Sequence, residues 1–186
     1  PLEYGGQRTP TSQWTATASG AAVVGMGGGK VHVEAVCGGR ITDLGVNDAN
    51  NMGAAMAPAA ADTIYNFLTD TNTRPEDYDL ILTGDLSAVG SELLQELLQR
   101  KGIDLGTRHA DCGLMMYDRH TQDVHAGGSG CGCSAAIVCS YLLSKMERGE
   151  LHNVLFIGTG ALMSTTSSQQ GESIPGIAHL VQLVSR

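Results

Sequence analysis

Asp123 to Ala136 reads Asp-Val-His-Ala-Gly-Gly-Ser-Gly-Cys-Gly-Cys-Ser-Ala-Ala, a polar, glycine-packed turn running into an apolar stretch. If the apolar part is a helix, the turn points free backbone N–H groups at one spot and leaves little room for side chains. Such a junction suits an anion. Gly127, Gly128, Ser129 and Gly130 are therefore candidate ligand-binding positions. His125, just ahead of them, could donate an N–H to a carboxylate or act as a base, or it is a surface loop histidine.

Two more glycine turns follow short apolar runs, Thr83-Gly84-Asp85 and Gly158-Thr159-Gly160-Ala161. In α/β sheets ligands collect where strands end and loops turn into helices. Three such ends with converging backbone dipoles would frame one pocket, which adds Gly84, Asp85 and Gly160 to the candidates. Asp85 reads as a base, a cation ligand or a residue beside the cap of the next helix.

Other motifs are weaker. Cys131 and Cys133 are two apart, so on a helix they point to different faces and one zinc could not easily take both. With Cys139 they read as small packing residues. His109, Asp111 and Cys112 resemble a nucleophile set in composition, but no spacing supports it. The glycine run 25–29 is not a G-x-G-x-x-G between strand and helix, so a nucleotide loop is not expected.

The elements that must position these residues follow from periodicity. Gln13 to Val24 reads as a strand, and Val31 to Cys37 alternates as a second, the two forming a hairpin across Gly27-Gly28-Gly29. Met52 to Leu68 predicts a helix, with Pro58 in its first turn or kinking it. Tyr78 to Thr83 is a short strand. Ser87 to Lys101 is an amphipathic helix with Leu93, Leu94, Leu97 and Leu98 on one face and Gly102 as its stop. Asp111 to Tyr117 reads as irregular. Ser129 or Ser134 is expected to cap a helix running to about Arg148. Asn153 to Ile157 is a buried strand ended by Gly158, and Ile177 to Val184 is the last strand. The expected order is β-β-α-β-α-α-β-β, a mixed α/β layer fold.

The chain of 186 residues is one domain's worth, enough to bury a substantial core. A formal net charge of -8 argues against sequence-independent binding to nucleic acid or electrostatic docking on an anionic membrane. Ala135 to Leu143 is too short to span a bilayer, and no signal peptide is evident. The start at Pro1, without an initiator Met, suggests a piece of a longer protein. Five cysteines, an odd number in apolar or glycine-rich settings, suggest a reducing, intracellular location.

Several separated segments occur in an order that resembles a known family. They are Glu3-Tyr4-Gly5-Gly6-Gln7-Arg8, Gln13-Trp14-Thr15, Gly45-Val46-Asn47-Asp48 with Asn51-Met52-Gly53, and Thr83-Gly84-Asp85-Leu86. His125 through Cys133 and Ile174-Pro175-Gly176-Ile177-Ala178-His179 complete the set. Together they resemble the C-terminal part of the stage V sporulation protein AD family.

The resemblance implies a thiolase-like fold: one half, the C-terminal one, of an αβαβα sandwich, with a mixed sheet flanked by helices. Residues 1–27 would hold the last strand region of the first half and 28–186 the second half. It implies that the half carrying a nucleophilic cysteine lies elsewhere, and that a lone half exposes the face meant for its twin. Condensing enzymes of this superfamily place His or Asn where this chain has Gly84-Asp85 and Gly127-Gly128. A non-catalytic role is therefore implied: binding dipicolinic acid (pyridine-2,6-dicarboxylate) for uptake into the developing spore. One carboxylate would rest on the N–H groups of Gly128, Ser129 and Gly130. No cofactor is implied, and calcium enters only as part of the ligand's chelate. Implied partners are other stage V sporulation A proteins at a membrane and a second copy in a homodimer, with a peripheral place at the spore inner membrane. The alternative is an acyl-CoA or ketoacyl condensing enzyme, an acyltransferase, with His125 or Asp85 as displaced base. A third possibility is a purely structural subunit with a vestigial pocket.

Overall fold

The computed structural model describes residues 8–186, so Glu3 to Gln7 of the first motif lie outside the described residues. Its centre is a five-stranded sheet in the order β2-β7-β6-β3-β4, built from β2 (Val31–Cys37), β3 (Leu80–Thr83), β4 (His109–Asp111), β6 (Asn153–Ala161) and β7 (Gly176–Ser185). Strand β3 runs parallel to β4 and β6, whereas β7 is antiparallel to β6 and β2. A separate two-stranded parallel ladder joins β1 (Trp14–Thr15) to β5 (Gly128–Ser129).

Helices cover both faces of the sheet, as the thiolase-like resemblance implies. On one face α1 (Met52–Thr71) and α2 (Ser87–Gln99) pack on Ile81, Leu155, Ile157, Ala178 and Leu180. On the other, Leu82 and Val154 pack with Cys112 of α3 (Cys112–Met116), Cys133 of α4 (Cys131–Ile137), Leu142, and Met146 of α5 (Leu143–Glu147). Leu80, Leu82, Val154 and Phe156 serve one core while Ile81, Leu155 and Ile157 serve the other. This is why β3 and the start of β6 read as unbroken apolar runs: both faces of the pleat are buried.

The strand 31–37 and the helices beginning at Met52 and Ser87 lie where periodicity puts them. Asn51 caps α1 by accepting from the Ala54 N–H at 3.2 Å, and Pro58 sits inside the helix, past its first turn. Gly102 adopts φ +78° just beyond α2.

Other expectations are corrected. Residues 13–24 supply only β1, and β2 pairs with β7 rather than in a hairpin with them. The cause is close packing of this segment across the helix that starts at Cys131. A Cβ at Gly132 would lie 2.3 Å from the Ala18 carbonyl oxygen, and one at Gly20 2.2 Å from that of Ala135. Beyond it Val23, Val24 and Met26 are exposed. Asp111 to Tyr117, expected to be irregular, instead contains the end of β4 and the short helix α3. The helix expected from Ser129 or Ser134 starts at Cys131 behind Gly130, which takes φ +95° with no side-chain cap. It runs to Glu147 through a π-helical turn at Val138–Leu142. Strand β6 does not stop at Gly158: Gly158, Thr159 and Gly160 continue it opposite His179, Ala178 and Ile177. A short helix α6 (Thr165–Gln169), not foreseen, precedes β7. No described helix is long and apolar enough to cross a membrane.

Candidate functional site

The three glycine-bearing segments meet at Asp85. This residue leaves β3, is only 7 % exposed, and holds two other segments in place. Its Oδ2 accepts from the Gly130 N–H at 2.7 Å, and its Oδ1 accepts from the Thr159 hydroxyl at 2.7 Å. Thr159 Oγ1 in turn accepts from the Asp85 N–H at 3.0 Å. Gln13 closes the back of the cluster by donating to the carbonyls of Asp85 (2.6 Å) and Gly128 (3.2 Å). The carboxylate thus sits at the start of α4 and accepts one of the N–H groups that the helix leaves free.

A cavity of about 290 Å³ opens here, lined by Asp85, Ser129, Gly130, Cys131, Ser134, Thr159, Gly160 and, on its apolar side, Met52, Met56 and Ala161. A larger cleft of about 630 Å³ lies between the end of α1 and residues 102–104, but no strand end reaches it. The smaller cavity gathers the candidate chemistry and is the functional candidate.

Of the residues singled out from the sequence, Asp85, Ser129, Gly130 and Gly160 line the cavity. Gly84 lies behind its wall, where a Cβ would stand 2.6 Å from Thr159 Oγ1 and 3.0 Å from Ser134 Oγ. Gly128 backs onto Met116 and Cys133, and Gly127 (φ +128°) onto Ser87 Oγ. His125 is not brought to the cavity. It sits in the outer loop at φ +50°, its Nε2 3.2 Å from Asp123 Oδ1 and its carbonyl accepting from Arg119. Of the three N–H groups of the expected anion seat, that of Gly130 already serves Asp85.

Nor does Asp85 cap the next helix. That role belongs to Asp111, fully buried at the end of β4. Its carboxylate accepts from the N–H groups of Leu86 and Ser87 (both 2.9 Å), from Leu114 N–H (3.2 Å) and from the Thr83 hydroxyl (2.6 Å). Burial pushes the Asp111 carboxyl up to about 6 against the pull of these donors. Ser87, held at φ +54°, donates its hydroxyl to the Gly128 carbonyl at 2.7 Å and so ties α2 to the cavity wall. Asp111 was legible as an N-cap, an Asp directly before an apolar run, but the glycine within that run hid the short helix.

The thiols divide by exposure. Cys133 is packed in the core as expected, whereas Cys131 is exposed at the cavity mouth. Burial pushes the Cys133 thiol up to about 12 and raises that of Cys112 further, so neither is a ready nucleophile. Alkylation followed by mass spectrometry is expected to label Cys131 in the folded protein and to reach Cys112 and Cys133 only on unfolding. Among the described residues no cluster of His, Cys, Asp and Glu could hold a metal ion.

A sequence profile of the stage V sporulation protein AD family matches residues 1–184. The chain is 48% identical over 179 residues to stage V sporulation protein AD of Bacillus subtilis (strain 168), covering 96% of this chain and 53% of that protein. It thus spans about half the length of the curated relative it matches. Among solved structures, 3-oxoacyl-[acyl-carrier-protein] synthase III from Aquifex aeolicus VF5 aligns with TM-score 0.39 and 20% identity, over 70% of this chain and 39% of that one. A tetronic acid condensing enzyme aligns with TM-score 0.43 and 15% identity, over 87% and 49%. With its family profile matched nearly end to end and half its residues shared with the curated relative, the chain belongs to the stage V sporulation protein AD family.

Proposed function

We propose that the cavity at Asp85 is a non-catalytic receptor for dipicolinic acid, serving its uptake into the developing bacterial spore. The observation that carries this reading is the make-up of the cavity wall. It combines the hydroxyl residues Ser129, Ser134 and Thr159 with apolar Met52, Met56 and Ala161, a lining suited to a flat, polar-edged ring. Among the described residues no imidazole lines it, the position after β3 is glycine, and the one carboxylate in its wall is engaged by Gly130 and Thr159. Proton transfer to a substrate therefore has no obvious owner. Asp85 also bears on the form of the ligand: a free dianion meets a like charge, whereas a near-neutral calcium chelate does not. The exposed apolar side chains of Val23, Val24, Met26 and Leu162 support a place in a larger assembly, with the other stage V sporulation A proteins at a membrane or with a second copy.

Calorimetry on the complete protein tests the reading. Dipicolinate, alone or with equimolar calcium, is expected to bind at one site. Thr159→Val, which removes a lining hydroxyl and the brace on Asp85, is expected to weaken binding by about tenfold. Absence of binding in both forms would sink the proposal. Cleavage of an acyl-CoA thioester by the same protein would revive the condensing-enzyme alternative.

A further inference from the structure

The buried cluster beneath the cavity contains more hydrogen-bonding options than a static cap needs. Thr83 Oγ1 has three neighbours: Asp111 Oδ2 at 2.6 Å, His109 Nε2 at 3.0 Å and the Ala110 carbonyl oxygen at 3.3 Å. A hydroxyl has one hydrogen to give. When Asp111 is a carboxylate, that hydrogen goes to Asp111, and Thr83 accepts from the His109 ring N–H. When Asp111 is protonated, its own hydrogen goes to Thr83, whose hydroxyl then turns to the Ala110 carbonyl. Both arrangements are within reach without moving a backbone atom.

They differ in how firmly they hold α2. Ionised, Asp111 grips the Leu86 and Ser87 N–H groups with charge-assisted bonds, and neutral it holds them with ordinary ones. Those two residues follow Asp85 directly. Ser87 reaches the Gly128 carbonyl, and Asp85 reaches Gly130 and Thr159. We propose that Asp111 and Thr83 form a proton-operated anchor, in which the carboxylate form orders the Asp85 and Gly128–Gly130 wall of the cavity and protonation loosens it. Asp111 is then a positioning residue, and its effect on ligand rests on the binding reading above.

The other titratable groups around it leave Asp111 as the group that switches. Burial lowers His109 to about 4, so it stays neutral above that range. Cys112 of α3 and Cys133 of α4 are held as thiols. Asp85 lies on the link between β3 and α2 and is, among the described residues, the other carboxylate that acts on these thiols.

The test is a pH titration of the complete protein without ligand, read by NMR at the Leu86, Ser87 and Gly130 amides. Opening that frees these donors while Asp111 stays buried raises its proton affinity, unlike global unfolding, which hydrates it, so exchange protection there, corrected for intrinsic rates, is expected to fall roughly tenfold as pH drops from 8 to 5. The midpoint is expected near the Asp111 value of about 6. Asp111→Asn removes the transition. Thr83→Val, which takes away a hydrogen bond to the carboxylate, moves the midpoint up by about one pH unit. An unchanged transition in Asp111→Asn, or none in the wild type, overturns the anchor. Should Asp111→Asn fail to fold, an unmoved midpoint in Thr83→Val overturns it equally. Dipicolinate affinity is then followed over the same range, where weakening below the midpoint is expected. A protein that shows the amide transition but binds no dipicolinate keeps the anchor and loses the ligand.

Discussion

Asp111→Ala lowers the unfolding free energy by about 4 kcal/mol, because three backbone N–H groups and a threonine hydroxyl lose a shared buried acceptor. Asp111→Asn, which keeps an acceptor oxygen, is expected to cost about half of that. Urea unfolding with unchanged m-value measures both. The pH dependence has a definite sign. The folded carboxyl lies at about 6, above the ordinary value of 3.8. Between these values the folded state binds more protons than the unfolded one, so stability falls as pH rises through that window. The fall is on the order of 3 kcal/mol and is complete above the folded value. Subtracting the Asp111→Asn curve cancels every group common to both proteins and leaves this slope. A difference that stays flat from pH 4 to 7 contradicts the assignment.

Gly90→Val is expected to cost about 4 kcal/mol and to lower the melting temperature by about 10 °C. Helices α1 and α2 cross at Gly53 and Gly90 with almost no clearance. A Cβ on Gly90 would lie 2.9 Å from Gly53 Cα and 3.0 Å from its carbonyl oxygen. A Cβ on Gly53 would lie 2.7 Å from Gly90 N. At an open helical site Gly→Ala stabilises by up to about 1 kcal/mol through propensity. Here Gly90→Ala is expected to destabilise instead, and that reversal of sign is the diagnostic. Thermal unfolding of the alanine and valine variants decides it; a stabilised alanine variant would show that the helices can separate freely. Because α2 carries Leu86 and Ser87 at its start, a shift at the crossing also displaces the floor of the cavity.

The parts of the fold legible in the sequence are those where burial imposes a clean period. Val31–Cys37 and Leu80–Thr83 announce themselves by alternation or by an apolar run, and α2 by Leu94 and Leu98 on its buried face. Glycine misleads in both directions. At Gly158 and Gly160 it looks like a strand end, yet β7 continues to pair with both residues. Gly132 looks like turn and Gly20 like part of a strand, yet both mark where residues 16–20 press against a helix. The three glycine-bearing segments do come together, through Asp85, although one of them is strand interior and another belongs to the separate β1–β5 ladder. Which side chains face the space between them was not legible. His125 is turned outward by its left-handed backbone, while Thr159 faces inward from a strand interior. Asp111 was missed as an organiser because its partners are mainly main-chain groups at the starts of α2 and α3, which no spacing records.

Since β3 and the first part of β6 contribute residues to two separate interiors at once, chain length there is more tightly constrained than residue identity. Loss or gain of one residue in Leu80–Thr83 would exchange the contents of the two compartments, delivering Leu82 to the side shaped for Ile81. Aliphatic replacements of similar bulk leave each compartment with what it holds. Variation among relatives in these strands should therefore show conservative swaps in place and almost no insertions or deletions.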